Sequence, residues 1–108
     1  MSNAFESMEY VIRQRREQPM ENSYTCYLFE KGMDKILKKI GEETAETIIA
    51  AKNGDHDNLV EEINDLLYHL MVMMNEAGVT LAEVEAEMDK RAGKIGNLKQ
   101  FHVSDHNT

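Results

Sequence analysis

The chain has 108 residues, with 20 Asp and Glu against 12 Lys and Arg, for a formal net charge of −8. That length accommodates one domain, and a composition 42% hydrophobic and 30% charged is too apolar for a disordered acidic tail. The acidic balance argues against a partner that is a nucleic-acid duplex or an anionic membrane surface, because both need a basic face.

A single proline and six glycines punctuate the sequence, and the apolar residues recur at threes and fours, so the chain reads as all-α. Setting aside residues 1–4, a first helix spans about Phe5 to Glu17, with Phe5, Met8, Val11 and Ile12 on one side. Pro19 and Asn22 break it, and Ser23 caps a second helical region that runs to about Lys52 with a kink or interruption at Gly32. Asn53-Gly54 supplies a left-handed stop, Asp55 or Asp57 caps a third helix from about Asp57 to Glu76, and Gly78 closes it. Thr80 caps a fourth helix to about Arg91. The expectation is a bundle of four to five helices forming one domain over 5–92, followed by a loosely ordered tail over 93–108.

The third helix is unusually apolar. On a wheel centred at Ile63, the residues Leu59, Val60, Leu66, Leu67, Leu70, Met71 and Met74 fill a broad core arc, while Val72 points to the opposite side and Tyr68 lies between. A helix apolar on nearly all sides needs cover on nearly all sides, which four helices scarcely provide, so a second subunit is expected. Met71, Met73 and Met74 are read as core filling. The longest strongly apolar stretch, Leu66 to Met74, falls far short of the roughly 20 residues that span a bilayer. The lone Cys26 and the absence of a charged-then-apolar leader lead to the expectation of a cytoplasmic protein.

Against this background the third helix carries Glu62, Asp65 and His69 in one stripe, and the second region carries Glu42, Glu43 and Glu46. Glu43 falls beside Ile36 and Thr47 at the edge of the apolar arc, and Glu42 lies toward solvent. If the two helices form an antiparallel hairpin about Asn53-Gly54-Asp55, Glu46 lies level with Glu62 and Glu43 with Asp65. Such carboxylates repel one another and are costly to dehydrate unpaired, so a cation is expected among them. Oxygen-only ligands suit Mg2+, with Mn2+ a substitute. A di-iron site would want a Glu-x-x-His pair, which is absent. Glu83, Glu85 and Glu87 read instead as a solvated face, and Arg13, Arg15 and Arg16 as surface residues.

The run Glu42-Glu43-Thr44-Ala45-Glu46, fifteen residues, then Glu62-Ile63-Asn64-Asp65 resembles the acidic signature of the all-α MazG-like nucleotide pyrophosphohydrolases. The flanks Ser23-Tyr24-Thr25, Gly32, Lys35-Ile36-Leu37-Lys38-Lys39-Ile40-Gly41, Ile49-Ala50-Ala51-Lys52 and Asp65-Leu66-Leu67-Tyr68-His69-Leu70 are similar to the phosphoribosyl-ATP pyrophosphatases of histidine biosynthesis, over roughly residues 8 to 92. Arg91-Ala92-Gly93-Lys94-Ile95-Gly96 resembles that family's ending only loosely.

The resemblance implies hydrolysis of phosphoribosyl-ATP to phosphoribosyl-AMP and pyrophosphate. It implies Mg2+ held by Glu43, Glu46, Glu62 and Asp65, with Glu42 in or beside that set. Lys35, Lys38 and Lys39, one to two turns before the acidic cluster, are candidates to meet phosphates, with Lys52 at the far end of the same helix. Tyr24 and Thr25 are assigned substrate contacts by the resemblance alone; His69, four residues after Asp65 on the same stripe, is read from its position as a group to orient a ligand or touch substrate. Two rival readings are a house-cleaning nucleoside triphosphate pyrophosphatase and a non-catalytic helical dimer.

Overall fold

A computed structural model describes residues 3–94, which form five helices in chain order: α1 (Ala4–Glu17), α2 (Tyr24–Lys31), α3 (Met33–Asn53), α4 (His56–Ala77) and α5 (Leu81–Ala92). The helix ends follow the sequence punctuation. Ser23 accepts a hydrogen bond from the Cys26 amide at 3.2 Å, and Asp55 one from the Asn58 amide at 3.3 Å. Gly54 and Gly78 close α3 and α4 in the left-handed conformation. Thr80 and Glu83 form a reciprocal capping box at the start of α5. Glu83 is exposed, as the solvated-face reading expects, and also serves as a cap: its carboxylate accepts from the Thr80 amide at 2.8 Å, which holds its pKa below the ordinary value.

The second helical region is two helices. Gly32 ends α2 and begins α3 at φ 88° and ψ −172°, a backbone state essentially restricted to glycine. Helices α3 and α4 then run antiparallel around Gly54-Asp55 as the principal hairpin, α1 and α2 pack against it, and α5 packs chiefly against α1.

The core consists of Ile12, Leu28, Ile36, Met71, Val72 and Leu81, with Met73 and Met74 packed against it, in keeping with the core-filling role read for the methionines. On α4 it keeps Met71 and Met74 of the arc that the wheel expects but includes Val72, which the wheel places on the opposite side. Val72 is fully buried, whereas Ile63 is 42% and Val60 57% exposed. The cause is tertiary: the core meets α4 around Met71 and Val72, where Ile12, Leu28 and Leu81 of the other helices converge. Arg16 is likewise more than a surface residue. It pairs with Glu76, donates to Asn75, and lies over the Phe29 ring with 4.1 Å to the centroid, so it ties α1 to α4 and α2. Glu9 adds a second tie by accepting from the Leu81 amide at 2.7 Å.

Among the described residues, no helix is long and apolar enough to cross a membrane. Residues 95–108, most of the tail anticipated from the sequence, lie outside the described residues, as do Met1 and Ser2.

Candidate active site

The hairpin brings Glu43 of α3 together with Glu62 and Asp65 of α4, one carboxylate oxygen of each lying within 4.8 Å of the others. The site is graded in burial: Glu43 is buried at 7% exposure, Glu62 is half-buried and Asp65 is exposed. The Oε2 atoms of Glu43 and Glu62 are both buried without a hydrogen-bond partner. Two orphaned carboxylate oxygens facing one cluster are costly unless a proton or a cation is present.

The acidities reflect that cost. Glu62 is pushed up to about 7, chiefly by desolvation, then by the close approach and charge of the Glu46 carboxylate, with Glu43 adding to the effect. Glu43 is raised for the same leading reason, with Glu46 and Asp65 contributing. Glu46 itself is exposed and stands at the rim of the cluster. Glu42 is exposed too, and its carboxylate lies 3.4 Å from Lys39 Nζ.

Lys39 Nζ is also 3.8 Å from Glu43, which makes it the lysine bordering the acidic cluster. Lys35 lies with Nζ 5.9 Å from the centroid of the Tyr27 ring, and Lys38 is exposed on α3. Lys52 is exposed nine residues beyond Glu43, about 13 Å along the helix axis, and the structure does not bring it to the cluster.

The aromatic side of the site comes from α2 and α4. His69 is buried, its Nδ1 2.7 Å from the Asp65 carbonyl oxygen and its Nε2 3.0 Å from the Tyr24 hydroxyl. Thr25 is buried, and its hydroxyl is hydrogen-bonded to that of Tyr68. Tyr24 stacks between Tyr27 and Tyr68, with ring centroids 6.0 and 6.3 Å away.

Thr47 is a site residue that the sequence reading passed over. Its hydroxyl donates to the Glu43 carbonyl at 2.7 Å and lies 3.3 Å from the Glu62 carbonyl, linking the two helices directly behind the carboxylates. The same level-register arithmetic that pairs Glu46 with Glu62 could have found it.

The family described as phosphoribosyl-ATP pyrophosphohydrolase matches residues 5–92. The chain is 52% identical over 98 residues to the phosphoribosyl-ATP pyrophosphatase of Clostridium botulinum, covering 91% of this chain and 89% of that protein. It is 56% identical over 88 residues to the phosphoribosyl-ATP pyrophosphatase of Listeria welshimeri, covering 82% and 84%. It is also 50% identical over 102 residues to the histidine biosynthesis bifunctional protein HisIE of Lactococcus lactis, covering 94% of this chain and 48% of that longer protein. With the family match running through all five helices and the whole carboxylate cluster, the chain belongs to the phosphoribosyl-ATP pyrophosphohydrolase family.

Proposed function

We propose that this protein hydrolyses phosphoribosyl-ATP to phosphoribosyl-AMP and pyrophosphate with a divalent cation, Mg2+ foremost and Mn2+ in its place. The observation that carries this reading is the convergence of Glu43, Glu62 and Asp65 with two buried carboxylate oxygens left unpaired. The relatives named phosphoribosyl-ATP pyrophosphatase support the choice of substrate.

The donor set fits a hard cation: it is all oxygen, it carries several negative charges, and its exposed side at Asp65 leaves room for water and phosphate oxygens. Glu43, Glu62 and Asp65 would hold the ion, with Glu46 and Glu42 at its margin. When bound, such an ion neutralises polyphosphate charge and lowers the pKa of a coordinated water. Lys39 borders the cluster on α3 and meets phosphate oxygens, with Lys35 and Lys38 on the same helix as further cations. A carboxylate of the cluster that is not engaged by the ion accepts the proton of the attacking water.

The active form is a homodimer. Within one chain α3 leaves Ile48 and Ile49 exposed, and α4 leaves Val60, Ile63 and Leu67 exposed, an apolar surface suited to a second copy. The lone Cys26 is in keeping with a reducing cytoplasm.

The test is pyrophosphate release from phosphoribosyl-ATP by pure protein, with and without Mg2+. Release only with the metal is expected. Cleavage of ordinary nucleoside triphosphates with no action on phosphoribosyl-ATP would overturn the assignment in favour of a house-cleaning pyrophosphatase.

A further inference from the structure

We propose that Thr47 is a positioning residue for the cation site: its hydroxyl, shared between the backbones that carry Glu43 and Glu62, holds α3 and α4 at the separation at which both carboxylates can ligate one divalent ion. The geometry rests on one small side chain. Thr47 stands one helical turn beyond Glu43, and its Oγ1 donates to the Glu43 carbonyl at 2.7 Å while lying 3.3 Å from the Glu62 carbonyl of α4. A carbonyl oxygen only accepts and a hydroxyl has one proton, so the two contacts form a single three-centre bond across the helix pair.

The bond within α3 is ordinary, and the reach to α4 is what distinguishes Thr47. Threonines in helices commonly turn back to the carbonyl four residues earlier. Thr44 does so on an exposed part of α3, its hydroxyl 2.7 Å from the Ile40 carbonyl. Thr47 makes the same local contact and adds a second acceptor on the facing helix, which belongs to a member of the carboxylate cluster.

The link lies where a restraint matters. Glu43 is nine-tenths buried with its Oε2 unpartnered, and the buried Oε2 of Glu62 is unpartnered too, so these are the oxygens that a cation would satisfy. Without the ion, ionised Glu43 and Glu62 repel across the hairpin, and parting α3 from α4 at this level would relieve them. The Thr47 hydroxyl opposes that movement without carrying charge. An ion with oxygen ligands at about 2.0–2.1 Å tolerates little added separation. Both carbonyls lie inside regular helix, where amide donors remain, so removing the hydroxyl strands no backbone group.

This inference rests on the divalent-cation reading of the cluster and not on the choice of substrate. The test is Mn2+ binding to the substrate-free protein, followed by electron paramagnetic resonance of the free ion, with metal-free thermal melts on the same samples. Thr47→Val keeps the branched shape without the hydroxyl and should weaken Mn2+ binding about three- to tenfold, the effect of one hydrogen bond between neutral groups. Thr47→Ser restores the hydroxyl and should return the affinity to within about twofold of wild type. Thr44→Val loses the same local bond and should leave the affinity unchanged. In turnover, Thr47→Val should need a correspondingly higher Mg2+ concentration for half-maximal pyrophosphate release, with the rate at saturating Mg2+ falling less.

Unchanged Mn2+ affinity in Thr47→Val, with or without a lower melting temperature, would overturn the proposal. So would Thr47→Ser or Thr44→Val binding as weakly as Thr47→Val. If Thr47→Val fails to fold, Thr47→Ala carries the same expectation, alanine being the residue best tolerated inside a helix. Wild-type protein that binds no Mn2+ would reject the cation reading and the proposal together. Wild-type protein whose Mn2+ binding shows the expected dependence on Thr47, but which leaves phosphoribosyl-ATP intact, would uphold the proposal and reject the substrate assignment alone.

Discussion

Glu43 and Glu62 approach each other across the α3–α4 hairpin, each with one carboxylate oxygen buried and without a hydrogen-bond partner. Their backbones are fixed by a third residue, Thr47, whose hydroxyl reaches the carbonyl oxygens of both. The fold thus holds two groups that repel each other when ionised, and this arrangement yields the first two predictions.

Replacing Glu43 with Gln should lower pyrophosphate release by at least about 100-fold, because the most buried of the proposed ion-holding carboxylates loses its charge. The same change should leave the metal-free protein as stable or more stable, by about 1 kcal/mol or more, because a poorly paired buried carboxylate is removed. Activity and thermal melts without metal, measured on the same preparation, check both halves together.

The stability of the metal-free protein should fall as the pH rises. Glu62 is raised to about 7 from an ordinary value of 4.5, and Glu43 is raised as well. Between pH 4.5 and about 7 the folded state binds more protons than the unfolded state, so deprotonation disfavours folding over that window. Chemical denaturation at intervals from pH 5 to 8 should show the decline. Mg2+ should remove most of it, since the ion replaces the proton, and its affinity should rise over the same range.

Replacing Gly32 with Ala should destabilise the fold by roughly 1–3 kcal/mol. An added Cβ meets no atom within 4 Å, so the cost comes from the backbone at φ 88° and not from crowding. Urea denaturation of this variant beside wild type measures it.

Arg16→Ala should cost about 1 kcal/mol. It removes the ion pair to Glu76 and the cation held over Phe29, each of which contributes modestly where solvent reaches it. Added salt should shrink only the Glu76 part of the loss, which a melt series at low and high ionic strength would reveal.

A dimer formed on the exposed α3–α4 face should be disrupted by Ile49→Asp, as Ile49 is 58% exposed in the single chain. Sedimentation at micromolar concentration should give twice the chain mass for wild type and a single-chain mass for the variant. Wild type sedimenting as a single chain would reject the dimer.

The sequence by itself determined the helix ends and the hairpin register. Ser23, Gly32, Gly54, Asp55, Gly78 and Thr80 act within a few residues of their own positions, through caps and left-handed backbone states. A short turn between two regular helices then makes residue arithmetic a sound guide to which carboxylates lie level, and this brought Glu43, Glu62 and Asp65 into view. The tertiary structure alone decided which side of α4 faces the core, because a helix apolar nearly all round does not choose its own buried side; the docking of the other helices chose Val72 over Ile63. It alone also joined Tyr24 to His69 and Thr25 to Tyr68, across separations of 45 and 43 residues. Hydrogen bonds of that span depend on how α2 rests against α4, an outcome of side-chain packing that no local periodicity encodes.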